Sequence, residues 1–117
     1  MEHLNIKGKI ISEASTNLTQ LKDKSGLLGF LAAGNAGSSE VYLKVFDQTE
    51  QPTIGVTEST FTFIIPGNTA GAGSNLGIPF GGIDFGYAIW IALTAGMGDD
   101  DNTPVNAGEV VINYGCK

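Results

Sequence analysis

Apolar residues in this chain recur at every second position, and no window of ten or more residues carries the 3.6-residue spacing of a helix. In residues 41–46, Val41, Leu43 and Val45 share one face while Tyr42, Lys44 and Phe46 share the other. Phe61, Phe63 and Ile65 alternate with Thr60, Thr62 and Ile64 until Pro66-Gly67 stops the run. The longest alternation covers residues 85–94, with Phe85, Tyr87, Ile89, Ile91 and Leu93 on one side. Residues 109–115 place Val110, Ile112 and Tyr114 inward. A period of two is the mark of half-buried antiparallel strands, because successive side chains on a strand point to opposite faces. Residues 27–33 form an apolar run between glycine-containing turns, residues 15–21 fit a strand better than a helical turn, and residues 76–80 read as an edge strand because Pro79 lacks a ladder donor. Without helices there are no crossovers for a parallel sheet. The expected fold is all-β: a single antiparallel β-sandwich, jelly-roll-like, with about seven to eight strands. Residues 1–11 form an N-terminal arm or edge strand, and residues 12–117 the sandwich domain.

The 117 residues suffice for one domain, and 42% hydrophobic residues can fill its core. The single cysteine, Cys116, excludes an intrachain disulfide. Six basic residues, all lysine, stand against twelve acidic ones, for a formal charge of −6. The lack of arginine and of any basic run argues against nucleic acid as a partner. The first residues have no secretory pattern, and the longest apolar stretch, residues 87–93, is far short of the ~20 residues a membrane helix requires. The chain reads as one made in the cytoplasm, with no membrane partner.

Few residues offer chemistry. Gly67, Gly71 and Gly73 resemble a phosphate loop only superficially, since no lysine or helix follows them. Asp99, Asp100 and Asp101, followed by Asn102 and Thr103, are hard oxygen ligands of the kind Ca²⁺ accepts, but their spacing does not match an EF-hand. A solvated acidic turn is the main reading and a Ca²⁺ site the competing one; no other cofactor is expected. His3 is the sole histidine, and Cys116 next to Lys117 has no base nearby, so neither a triad nor a zinc site can be assembled. Nothing pairs any two of Asp47, Glu50, Glu58, Asp84 and Glu109 as glycosidase carboxylates. No enzyme is expected. Trp90 reads as a packed core ring, with sugar stacking as the alternative. Both faces of several strands are apolar, which hints at assembly. The candidate partner-binding residues are Tyr42, Lys44 and Phe46 together with Ile6, Ile10 and Ile11 of the arm, which could add a strand to a neighbour's edge.

Several segments together carry a resemblance. They include Tyr42-Leu43-Lys44-Val45-Phe46-Asp47, Gln51-Pro52-Thr53-Ile54-Gly55-Val56-Thr57 and Phe61-Thr62-Phe63-Ile64-Ile65-Pro66. Gly82-Ile83-Asp84-Phe85-Gly86-Tyr87-Ala88 and the closing Gly108-Glu109-Val110 with Tyr114 follow in the same order. Over residues 14–117 the chain resembles small virion-associated proteins of tailed bacteriophages; Cys116 departs from the more usual residue there. The resemblance implies a compact β-sandwich without catalytic residues. It implies a non-enzymatic virion structural protein, most readily a capsid decoration or cement protein on the major capsid lattice, monomeric or a homotrimer, located in the virion. A tail- or fibre-associated protein and a carbohydrate-binding module are the alternatives.

Overall fold

The computed structural model describes residues 5–67, 75–77 and 82–117. His3, Gly71, Gly73 and Pro79 lie outside the described residues. Nine strands are present among them: β1 (Ile6–Ile11), β2 (Thr19–Lys22), β3 (Gly26–Asn35), β4 (Val41–Phe46), β5 (Phe61–Ile65), β6 (Asn75–Gly77), β7 (Ile83–Phe85), β8 (Ile89–Thr94) and β9 (Val110–Cys116).

The pairing is nested about the β4–β5 hairpin. Outside it, β3 pairs with β6 and β7, then β2 with β8, then β1 with β9, all antiparallel. Successive pairs fall in alternate sheets, giving β1-β9-β3 flanked by β6 and β7 in the first and β2-β8-β4-β5 in the second. A long hairpin rolled up in this way is a jelly roll. Between the sheets lies one apolar core, in which Leu28, Leu43, Val45, Ile65, Ile89 and Cys116 are fully buried. Removing each large aliphatic side chain from water stabilises the fold by roughly 1.5–3 kcal/mol.

Local irregularities keep apolar residues on the inner face. The β3–β9 register shifts between Leu28 and Phe30. That bulge lets Leu28 and Leu31 both point inward although three positions separate them. Gly82, at φ +73°, lies so close to the Leu28 carbonyl oxygen that a Cβ there would sit 2.4 Å from it, which fixes glycine at this position.

Two expected elements differ. Residues 15–17 turn before β2 begins, with Asn17 at φ 53° and its side chain bonded to the backbone of Glu13 and Ser15. Asparagine tolerates that left-handed conformation because its short amide bonds locally. The single strand expected over residues 85–94 is broken instead: β7 belongs to the first sheet and β8 to the second. The Asp47 carboxylate sits at the break, accepting bonds from the N–H groups of Gly86 (2.9 Å), Tyr87 (2.9 Å) and Ala88 (3.4 Å). Tyr87, at the break, is 66% exposed, while Phe85, Ile89, Ile91 and Leu93 keep their core places.

Candidate interaction surface

The second sheet covers its own outer face. Register places Lys44 beside Ala92, and Phe46 beside Trp90, on the side away from the core. Lys44, Phe46, Ala92 and Thr94 are nevertheless buried. The cover is the β4–β5 connection, residues 47–60, and the β8–β9 connection, residues 95–109. Trp90 Nε1 donates to the Gln48 carbonyl at 3.0 Å. The two connections also hold each other: Ser59 N and Oγ donate to Asp99 Oδ1, and Gly55 lies against Asn102. The apolar character of both strand faces, an expected hint of assembly, is met here within the chain.

Lys44 anchors this cover. Its ammonium donates to the carbonyls of Gly98 and Asp101, and it is one of the largest fully buried side chains. A buried lysine needs such acceptors, because removing an unpaired ammonium from water costs several kcal/mol.

The acidic run does not converge. Asp99 is bound to Ser59, while Asp101 accepts from Gly96 N (3.2 Å), Thr103 N (2.9 Å) and Thr103 Oγ1 (3.3 Å). No group of three potential metal-ligating side chains occurs among the described residues. Two of the three carboxylates, Asp99 and Asp101, hold the loop itself. The Thr103 amide above all, with the Gly96 amide, the Thr103 hydroxyl and the Lys44 charge, holds the Asp101 carboxyl below its ordinary range, against a smaller opposing effect of burial. A carboxyl lowered on folding stabilises the fold above its unfolded pKa, and that stability is lost as pH falls through the folded value. Wild type should therefore lose thermal stability below about pH 4 more steeply than Asp101→Asn. Parallel melting curves from pH 7 to pH 2 check this; identical slopes would contradict it.

The six candidate partner residues do not form one surface. Lys44 and Phe46 are buried under the loops, which removes them from any partner surface. Tyr42 is half-buried, and its hydroxyl donates to Glu40 at 3.3 Å. Ile6 and Ile10 pack against the core. Ile11 is 54% exposed. The arm is an edge strand of its own sheet, paired with β9 from Ile6–Cys116 to Ile11–Val111. Trp90 is half-buried on the outer side of the second sheet rather than in the core, with its indole N–H already bonded. Burial raises the Cys116 thiol pKa, against a smaller opposing effect of the Lys22 charge.

The outer face of the first sheet is different. β1 presents Lys7, Lys9 and Ile11 there, in register with Gly115, Asn113 and Val111 of β9. β3 adds Phe30, Ala32 and Gly34. Lys7, Lys9, Ile11 and Phe30 are exposed, Phe30 at 45%. An open groove of about 500 Å³ runs over this region, lined by Lys7, Gly8, Phe30, Asn113, Tyr114 and Gly115. Small outward residues leave its floor close to bare backbone. Sequence reasoning missed Phe30 and Asn113; the available signal was the run of Gly and Ala at alternate positions of β3.

Fold and surface define the chain as a jelly-roll β-sandwich with loops over the outer face of its second sheet and, among the described residues, exposed side chains on the outer face of its first. No protein family, curated protein or solved structure matches it.

Proposed function

We propose that this chain is a non-enzymatic structural protein of a tailed-bacteriophage virion, most specifically a capsid decoration subunit that binds the major capsid lattice. The observation that carries the reading is the asymmetry of the sandwich: loops cover the second sheet, while the first sheet presents an open face bearing Ile11 and Phe30. A partly apolar face whose groove lies open to solvent suits a broad protein contact better than a small-molecule site, which is enclosed. The segmental resemblance to virion proteins points the same way, and jelly rolls recur in capsid architecture. Fold alone does not assign function. A tail-associated location is the second form of this reading.

Gradient-purified virions whose genome encodes the chain provide the test. Quantitative peptide mass spectrometry should find it in many copies per particle, in constant ratio to the major capsid protein. Its absence from particles, with the protein present in the free lysate fraction, would overturn the proposal.

A further inference from the structure

Residues 96–103, the part of the β8–β9 connection that crosses Lys44, cover the second sheet without burying any side chain of their own. Every residue of the segment is at least partly exposed, and its one large apolar side chain, Met97, is 60% exposed. The floor beneath is polar for a covered sheet. On this side β4 and β8 present Lys44, Ala92 and Thr94, all buried. Apart from the lysine stem and two methyl groups, that floor is an ammonium and a hydroxyl. Closure of the segment therefore rests on hydrogen bonds. Thr94 Oγ1 donates to the Gly96 carbonyl at 2.8 Å, and the Lys44 ammonium to the Gly98 and Asp101 carbonyls. Ser59, on the β4–β5 connection, donates to Asp99 Oδ1 from N at 3.2 Å and from Oγ at 2.9 Å. The base of the segment is pinned: Ala95 N donates to the Thr103 carbonyl at 3.0 Å, and Val105, two residues on, is buried in the core. The β4–β5 connection has its own anchors in the buried Pro52 and in the Trp90 bond to Gln48.

We infer that residues 96–103 form a strap that opens on its own, swinging away from β4 and β8 about the Ala95–Thr103 pair while both sheets stay folded. Water replaces each bond that closes the strap, and lifting it hydrates the Lys44 ammonium instead of exposing an apolar floor. A segment with so few buried apolar contacts opens at a lower free energy than the core around it. The latch is the Asp99–Ser59 contact, which ties the strap to the neighbouring connection, together with the two carbonyls over Lys44. Opening gives the covered sheet a second state, with a solvated cation at the centre of its outer face. Lys44 is 2% exposed when the strap is closed, so a reagent that modifies it reports the open state.

Amine acetylation of the purified protein by an N-hydroxysuccinimide ester, followed lysine by lysine with mass spectrometry, is the test. It is run at about pH 8, where a small fraction of each lysine is neutral, with the exposed Lys7 and Lys9 as references. Lys44 should react at least about tenfold more slowly than Lys7, yet at least about tenfold faster than the global unfolding equilibrium allows. Its rate should not change with urea below the unfolding transition, because opening the strap exposes little surface. Ser59→Ala removes one latch bond and should raise the Lys44 rate about fivefold. Met97→Ser alters a side chain that takes no part in closure and should leave the rate within about twofold of wild type. Thermal melting establishes that both variants are folded. A Lys44 rate that matches global unfolding and rises with urea in step with it would overturn the inference. So would a Lys44 rate equal to that of Lys7, which would mean that the strap does not close. Equal rates in Ser59→Ala and wild type, or equal acceleration by Met97→Ser, would contradict the polar latch.

Discussion

Lys44→Ala should destabilise the protein by about 4 kcal/mol and lower its melting temperature by about 15 °C. The substitution removes three buried methylenes, at about 0.8 kcal/mol each. It also removes the charge-assisted bonds to the Gly98 and Asp101 carbonyls, for which about 1.5–3 kcal/mol is typical. Lys44→Met keeps the stem and loses only the ammonium, so its cost should be about half as large. Both variants should show faster amide exchange over residues 98–103 than the wild type, because the loop loses its anchor to β4. Urea unfolding measures the totals. A Lys44→Ala protein within about 1 kcal/mol of wild type would mean that the buried lysine does not hold the loop.

Asp47→Ala is expected to be the next most damaging change, at about 2–3 kcal/mol. The carboxylate satisfies the Gly86, Tyr87 and Ala88 amides where the chain leaves the first sheet for the second. Without it, three adjacent donors must turn to water or to each other, and the crossover loses its fixed geometry. Asp47→Asn retains one acceptor oxygen and should recover part of the loss. Urea unfolding together with hydrogen exchange at residues 86–88 distinguishes the two effects. Unchanged protection in Asp47→Ala would show that the crossover is held by the flanking strands alone.

These two side chains also mark where sequence reasoning stops. Alternation located β4 at its observed bounds and β5 and β9 to within a residue, because one face of each strand turns to the core. The break between β7 and β8 was not legible. Gly86, Tyr87 and Ala88 continue the period of two without interruption, and the carboxylate that binds their amides lies 39 residues or more away in sequence. Lys44 and Phe46 misled for a related reason. Their alternation is correct, but a strand pattern says nothing of which loop will return over its outer side. The acidic run was conspicuous as charge, yet its carboxylates serve as local acceptors for Ser59, Gly96 and Thr103. The outer face of the first sheet was not legible for the opposite reason: its residues come from β1, β3 and β9 and meet only through strand pairing.

The most direct measurement of the functional account is a cryo-electron microscopy reconstruction of the virion. It should show a jelly-roll density on the capsid lattice, with the β1-β9-β3 sheet turned toward the major capsid protein and the loops over Lys44 turned outward. Jelly-roll density seated on the lattice through those loops, or no such density anywhere on the particle, would contradict it.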